Sequence, residues 1–233
     1  MKVHCFFEQS GVFKNAFNAI PGYSAADYDI ENTFGQTDYV IDLFDQINTA
    51  YYTNDKTVFD EITPDDLIMA FYPCIYFCEN NQLYFCGVSK NIQSLTPIQR
   101  ADLIVERADL RHKLYCTLLK FYAVAIAKNL RVIIENPWSV NHYLYNNFPV
   151  KPSIIDYHRN YSGDKYEKPT AFYFINCEPK NHYKTYAPKQ PLKIWVKKGV
   201  SVPGKCNLTR SAITPEYATN FIFDYIIGKP QKK

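Results

Sequence analysis

Residues 65–80 have the sequence DDLIMAFYPCIYFCEN, which predicts a buried strand that ends in a turn. The apolar run from Leu67 to Tyr72 is continuous, as is typical of a strand covered on both faces of a sheet. Pro73 has no amide hydrogen to donate, so we expect the strand to end there. Cys74 then lies at the carboxyl edge of the sheet, where open α/β proteins bind ligands. A thiol at that edge is a candidate nucleophile, and a buried structural thiol is the alternative.

Length and composition are those of one globular α/β domain, or of one domain with a small appendage. The chain has 233 residues, of which 47% are hydrophobic and 21% charged, and its formal net charge is +3. That charge permits a polyanionic partner without indicating one. No apolar run has the length of a transmembrane helix. The seven scattered cysteines and the absence of a signal-peptide pattern predict reduced thiols in a cytoplasm. The cysteines also lack the paired spacing of a zinc site.

The N-terminal part predicts strands that end in glycine or carboxylate residues. The predicted elements are strands over 2–7 and 23–26 and a helix over 12–20. Gly11 lies in the first turn, Asp27 follows the second strand, and Asp42 follows the next short apolar run. Since parallel strands share one carboxyl edge, these three residues are expected to surround a nucleoside-containing ligand. The alternatives are solvated loop carboxylates and, for Asp42, a cap of the following helix.

The rest of the chain predicts a long helix, further strands and a basic region. The predicted elements are a helix from Pro97 to about Asn129, a helix over 138–148, strands over 131–137, 153–156 and 172–176, and a terminal helix over 215–227. Glu135 and Asn136 precede Pro137 at the end of one strand, which brings a carboxylate and an amide to the ligand edge. A plain strand exit is the alternative. Residues 178–210 are rich in lysine and either contact phosphates or form a solvated face.

The order of these motifs resembles that of the cytosine-C5 DNA methyltransferase family, most closely its small phage-type members. Pro73-Cys74 is similar to the catalytic Pro-Cys of the family, and Glu135-Asn136-Pro137 is similar to its Glu-Asn-Val/Pro motif. The segment 156–176 resembles the part that carries basic residues into the active site, and 210–215 resembles the stretch before the last helix. The resemblance covers most of the chain.

The resemblance implies a Rossmann-like, mostly parallel sheet with helices on both faces, which is the S-adenosylmethionine-dependent methyltransferase fold. It implies a catalytic domain formed by 1–177 and 211–229, with 178–210 as a reduced target-recognition region. The implied reaction transfers a methyl group from S-adenosylmethionine to cytosine C5. The implied partner is DNA, double-stranded with the target cytosine flipped out of the stack, in a bacterial host cytoplasm.

The resemblance also implies a role for each site residue. Cys74 would add to carbon 6 of cytosine, and Glu135 would hold ring N3 and the exocyclic amine. Asn136 would orient the loop, and Arg159 would hold the carbonyl oxygen or lower the pKa of Cys74. The implied cofactor residues are Phe7, Gln9, Gly11, Pro73, Asp27 for the ribose hydroxyls and Asp42 for the adenine amine.

Several positions depart from the family pattern. The first turn retains only Gly11 of the usual glycines, so Gln9 and Val12 would crowd the methionine part of the cofactor. Ile75 follows Pro-Cys in place of the common glutamine, and no Gln-x-Arg-x-Arg motif is evident, so Arg159 with Lys165 or Lys168 is the best substitute. These departures leave two alternatives: a catalytically silent nucleic-acid or nucleotide-binding relative, and a methyltransferase for RNA or free nucleotide.

Overall fold

Short apolar runs form the strands of one sheet in the computed structural model, which describes residues 1–79, 85–180, 190 and 212–228. The strands are β1 Lys2–Phe6, β2 Ser24–Asp29, β3 Tyr39–Val40, β4 Leu67–Ala70, β5 Arg131–Pro137, β6 Ile154–Asp156 and β7 Thr170–Ile175. The α-helices are α1 Val12–Asn18, α2 Leu43–Tyr52, α3 Lys90–Gln93, α4 Pro97–Ala127, α5 Tyr143–Asn147 and α6 Pro215–Phe221. A π-helical turn, Ile222–Ile227, continues α6, and 3₁₀ helices span Val58–Asp60 and Arg159–Ser162.

The sheet has seven strands in the order β3-β2-β1-β4-β5-β7-β6. Strand β7 alone runs in the opposite direction, antiparallel to both β5 and β6. Strands β5 and β6 therefore run in the same direction on either side of it. The order reverses beside β1, which pairs with β2 on one side and β4 on the other. This confirms the predicted α/β class with a mostly parallel sheet. The antiparallel β7 distinguishes it from the six parallel strands of dinucleotide-binding sheets.

Alternate side chains of the central strands pack into two separate cores. On β4, Ile68 and Ala70 join the core formed with α2 and α4. Leu67 and Met69 on the same strand join the core formed with α1 and α6. Since successive strand residues point to opposite faces, a continuous apolar run is needed where both faces are covered. The helices therefore lie on both faces of the sheet, as predicted.

Helix α4 begins at the predicted position. The Thr96 and Gln99 side chains form a capping box at its start, and Pro97 occupies the first helical position. Its buried residues lie in its second half, between Thr117 and Ala125, and much of the first half is exposed to solvent. The helix therefore packs on the sheet through only its C-terminal turns.

Several predicted boundaries are wrong. Strand β4 ends at Ala70, although the apolar run predicted a strand to Tyr72. Strand β2 continues past the predicted end at Ala26 to Asp29, because Asp27 finds buried partners within the strand. Helix α5 spans only Tyr143–Asn147 instead of 138–148, since the chain after β5 first forms a loop. The terminal helix is α-helical only to Phe221 and then widens to π-helix. Among the described residues, no helix is long and apolar enough to cross a membrane.

Candidate functional site

The carboxyl ends of β1, β4 and β5 meet at the point where the strand order reverses. Phe6 of β1 pairs with Ala70 of β4, which in turn pairs with Ile134 of β5. The Phe71 amide continues this pairing by donating to the Phe6 carbonyl over 2.9 Å. Residues that follow these strands therefore emerge side by side, in the crevice where open α/β sheets bind ligands.

Cys74 begins a single helical turn after β4. Its carbonyl accepts hydrogen bonds from the amides of Phe77 at 2.9 Å and Cys78 at 3.2 Å. The turn brings the Cys78 side chain back to Cys74, since residues four apart in a helical turn lie on one side. Cys74 and Cys78 are both half-buried. In the described part of the chain, no three metal-ligating side chains form a cluster.

The surroundings of Cys74 favour its thiolate. A hydrogen bond from the Cys78 side chain, helped by the positive charge of Lys168, holds the pKa of Cys74 below its ordinary value. Burial and the Glu135 carboxylate act in the opposite direction. The same hydrogen bond and burial raise the pKa of Cys78, so Cys78 keeps its proton. The pair therefore consists of one activated thiol and one donor.

Glu135 and Asn136 stand at the end of β5, beside the loop that carries Cys74. Both side chains are buried, and Asn136 is completely inaccessible. The Asn136 amide donates to the Tyr72 carbonyl over 2.9 Å, just ahead of Pro73. This bond ties the end of β5 to the loop after β4.

The loop after β5 holds the Cys74 turn from the other side. The Tyr143 amide donates to the Phe77 carbonyl over 3.0 Å, and the Asn141 side chain donates to a Glu79 carboxylate oxygen over 2.8 Å. His142 lies between these two contacts and is only 1% exposed. Burial lowers its pKa to about 4, so its ring is neutral.

The structure does not support either predicted role for Arg159. Arg159 is 1% exposed, forms an ion pair with Asp164 and lies over the Tyr217 ring at 4.7 Å. Its guanidinium also donates to the Thr170 hydroxyl at 3.4 Å. A guanidinium held in this way braces the polar loop after β6. Lys168, which the sequence also offered for the predicted role of Arg159, is the cation whose charge helps to lower the pKa of Cys74.

The prediction that Asp27 ends β2 is wrong. Asp27 lies inside β2 and is fully buried, with Lys14 Nζ 3.0 Å from its Oδ1. The Asp38 amide donates to the same oxygen over 2.7 Å, and the Asp38 carboxylate lies 3.2 Å from Lys14 Nζ. Asp29 is the carboxylate at the end of β2, where the sequence pattern expected Asp27. A buried lysine partner 13 residues away along the chain gave no signal in the sequence.

The first turn is filled by a residue that sequence reasoning missed. The buried Glu8 carboxylate accepts hydrogen bonds from the amides of Phe13 at 2.7 Å and Lys14 at 3.2 Å. These are N-terminal amides of α1, the groups that would otherwise bind a phosphate. Burial raises the pKa of Glu8, and the helix amides oppose that shift. A glutamate placed just before a helix start was the signal available in the sequence.

Gly11 is required by its backbone, and a cleft opens beside it. Its φ is +66°, and a Cβ added there would meet the Gln36 side chain at 3.2 Å. Any other residue would be strained and crowded. A surface cleft of about 620 Å³ adjoins this turn, lined by α1, Gln36 and the start of α6. Neither Cys74 nor Glu135 lines this cleft.

The other predicted cofactor residues surround the carboxyl end of β1. The half-buried ring of Phe7 packs on Phe44 at 5.4 Å and Tyr72 at 5.2 Å between centroids. The Gln9 amide donates to Glu31 at 3.4 Å, across the first turn. Asp42 caps α2 by accepting from the amides of its first turn, which is the alternative that the sequence left open. Pro73 is half-buried directly before Cys74.

Most of the predicted recognition region, 178–210, falls outside the described residues, which include only 178–180 and 190 of it. No protein-family model matches the chain, and a search of curated protein sequences finds no significant match.

Proposed function

We propose that this protein is an S-adenosylmethionine-dependent methyltransferase that methylates carbon 5 of cytosine in nucleic acid, with Cys74 as nucleophile. One observation carries the proposal. Cys74, whose pKa is lowered, and the buried Glu135 emerge from neighbouring strands at the crevice of the sheet. A nucleophile and a ring-binding carboxyl group side by side are what addition to a pyrimidine needs.

Cys74 starts the proposed reaction by adding its thiolate to carbon 6, which forms a C–S bond and moves the C5–C6 π electrons toward carbon 5. Glu135 binds the N3 and amine edge of the ring, so that a shared proton offsets the charge that builds up there. When bound, S-adenosylmethionine supplies an electrophilic methyl group on a sulfonium sulfur. Once carbon 5 carries the methyl group, loss of its proton restores the double bond and expels the Cys74 sulfur with the C–S electron pair. Cys78 donates to that sulfur whenever it is anionic.

The charges around the first turn support a cationic cofactor over a phosphate-bearing one. Glu8 already occupies the α1 amides, so a phosphate would lose these donors and meet a buried acidic group. Asp29, Glu31 and Asp42 add carboxylates at the ends of β2 and β3. S-adenosylmethionine carries a positive sulfonium and fits such surroundings, with Phe7, Gln9, Gly11 and Asp29 as the residues that would hold it.

The rival proposal is a catalytically silent relative, and the first turn favours it. Gln9 stands where the family pattern has a glycine, and its side chain donates to Glu31 in the loop after β2 at 3.4 Å. Calorimetric titration with S-adenosylmethionine separates the two proposals. Micromolar binding that is lost in Asp29→Ala supports the enzyme, while absence of heat at millimolar cofactor supports the silent relative.

The enzyme proposal is tested by the modified base itself. The protein is incubated with tritiated S-adenosylmethionine and cytosine-containing nucleic acid, and the nucleosides are separated after digestion. We expect label in 5-methylcytosine with wild type and with Cys116→Ser, which removes another half-buried thiol, and none with Cys74→Ser. Label in N4-methylcytosine or N6-methyladenine, or full activity of Cys74→Ser, would overturn the mechanism.

A further inference from the structure

We infer that an aromatic and basic surface beside Cys74 binds the unstacked bases of a single-stranded nucleic acid. We call it the stacking surface, and its members are Trp138, Tyr157, Tyr161, Lys165 and Lys168. The inference deepens the proposed function, because it names the form of nucleic acid that would reach Cys74. Its binding step, however, can be measured without any methyl transfer.

The topology brings this surface to the same sheet edge as Cys74. Pro137 of β5 pairs with Thr170 of β7, which pairs with Asp156 of β6. Since β5 and β6 run in the same direction, the residues that follow them emerge at one edge. Trp138 and Tyr157 are those residues, and their rings pack edge to face at 4.8 Å and 76°. The Trp138 amide donates to the Pro169 carbonyl over 2.8 Å, which fixes the base of the surface.

The tyrosine rings of the surface are held in place but exposed to solvent. Tyr157 is 48% exposed and Tyr161 is 45% exposed. Trp138 supports the Tyr157 ring from one side, and His158 stacks on Tyr161 at 5.0 Å and 23°. The His158 ring is in turn 2.8 Å from a Glu167 oxygen. Rigid exposed rings of this kind lose little freedom when a base stacks on them.

Two lysines lie next to the rings. Lys165 is exposed, and Lys168 is half-buried and close enough to act on the Cys74 thiol. Two acids nearby are exposed as well: a Glu167 oxygen lies 2.8 Å from the His158 ring, and the Glu216 side chain lies against Gly163. The other nearby carboxylates are buried and engaged: Asp164 with Arg159, and Asp156 with the Tyr217 hydroxyl and the His158 amide. Phosphates would therefore meet lysines along a path that ends at Cys74.

Exposed rings interleaved with lysines match a single strand better than a duplex. Bases stack on aromatic side chains only where their faces are free, and lysines contact the backbone between them. In a duplex the base faces are covered by neighbouring base pairs, so the rings of Tyr157 and Tyr161 cannot stack on them. A free nucleotide would use one ring at most. The geometry therefore favours a strand whose bases flank the target cytosine and lie on Tyr157 and Tyr161.

The test measures binding in the Cys74→Ser protein without S-adenosylmethionine. Fluorescence anisotropy is recorded with labelled oligomers about 16 nucleotides long: dT, U and a mixed-sequence duplex. We expect both single strands to bind more tightly than the duplex. The tighter binder of the dT and U oligomers then shows whether the surface prefers DNA or RNA. Tyr157→Ala and Tyr161→Ala are each expected to weaken single-strand binding by about fivefold or more. Tyr157→Phe keeps the ring and should bind like the parent.

Two matched controls make the test specific. Tyr51 is 49% exposed at the end of α2, a helix that begins at the carboxyl edge and runs away from it. Tyr51→Ala should leave binding unchanged. Lys165→Ala should flatten the salt dependence of single-strand binding by about 0.7 in the log–log slope, and Lys56→Ala should not. Circular dichroism checks that every variant is folded.

Tighter binding to duplex than to single strand, or equal effects of Tyr157→Ala and Tyr51→Ala, would overturn the inference. Methylation of duplex cytosine by the wild-type protein would then leave the proposed function intact. If single strands bind through Tyr157 and Tyr161 but no 5-methylcytosine forms, the stacking surface stands and the proposed function fails.

Discussion

Acidification is expected to destabilise the protein through His142, which lies in the loop that holds the Cys74 turn. The ring is 1% exposed, and neither of its nitrogens has a hydrogen-bond partner among the described residues. Burial lowers its pKa from 6.5 to about 4. Between these two pH values the unfolded chain binds a proton that the folded protein does not. The free energy of unfolding therefore falls as the pH falls through this window.

The size of the effect follows from the two pKa values. The interval from 6.5 to about 4, at roughly 1.4 kcal/mol for each unit of pKa, corresponds to a loss of about 3 kcal/mol that is nearly complete at pH 4. About 2 kcal/mol is already lost at pH 5. Above pH 7 the histidine is neutral in both states and the loss vanishes.

Urea unfolding of wild type and His142→Leu at about pH 7.5, 6 and 5 measures this contribution. The difference between the two unfolding free energies cancels the contribution of the carboxylates, which titrate in both proteins. We expect the difference in unfolding free energy to move by about 2 kcal/mol in favour of the variant between pH 7.5 and 5. His142→Gln should behave alike, whereas His112→Gln, at an exposed position on α4, should show no such change. A change below about 0.5 kcal/mol in both His142 variants would refute the reasoning.

Three further substitutions test the contacts of the site. Cys78→Ala should raise the pKa of Cys74, so that the pH profile of its alkylation by iodoacetamide moves to higher pH, while Cys78→Ser should keep much of the effect; identical profiles would contradict the donor role. Lys14→Met should lower the free energy of unfolding by about 3 kcal/mol, because it leaves the carboxylate of Asp27 buried without its cation, and adding Asp27→Leu should recover much of that loss in urea unfolding. Asn136→Ala should cost about 1–3 kcal/mol in the same assay, because a buried bond to the loop after β4 is lost; an unchanged midpoint would contradict it.

The strands of the sheet could be predicted where the pattern of apolar residues fits only one degree of burial. The uninterrupted apolar run of β4 requires cover on both faces, and the structure places its alternate residues in two cores. The pairing of β4 stops before Pro73, since the strand ends at Ala70 and its ladder to β1 reaches only the Phe71 amide. Pro73 still keeps the strand from continuing, so the position of Cys74 beyond the strand follows from the sequence too. The carboxyl ends of β4 and β5 meet because the strands are parallel neighbours, and this brings Glu135 beside the Cys74 loop.

The failures concern charged residues with distant partners. Asp27 was expected at the end of β2, facing a ribose or solvent, but Lys14 reaches it from α1 and makes its burial inside the strand tolerable. Arg159 was expected to reach the reacting groups, but Asp164 and the Tyr217 ring hold it inside the loop. Pairings of this kind depend on how separate elements pack against each other, and they cannot be predicted from a single sequence. The contact between Cys74 and Cys78 was missed as well, although the spacing of four residues fits one helical turn.

The most direct test of the central claim is a covalent trap at Cys74. The protein is incubated with S-adenosylmethionine and an oligonucleotide in which 5-fluorocytosine replaces cytosine, so that the final loss of a proton is blocked. The adduct is then digested with protease and the linked peptide is identified by mass spectrometry. The account predicts an adduct on the peptide that contains Cys74, which is absent in Cys74→Ser and retained in Cys116→Ser. An adduct at a different cysteine, or methylation of ordinary cytosine without any trapped adduct, would contradict it.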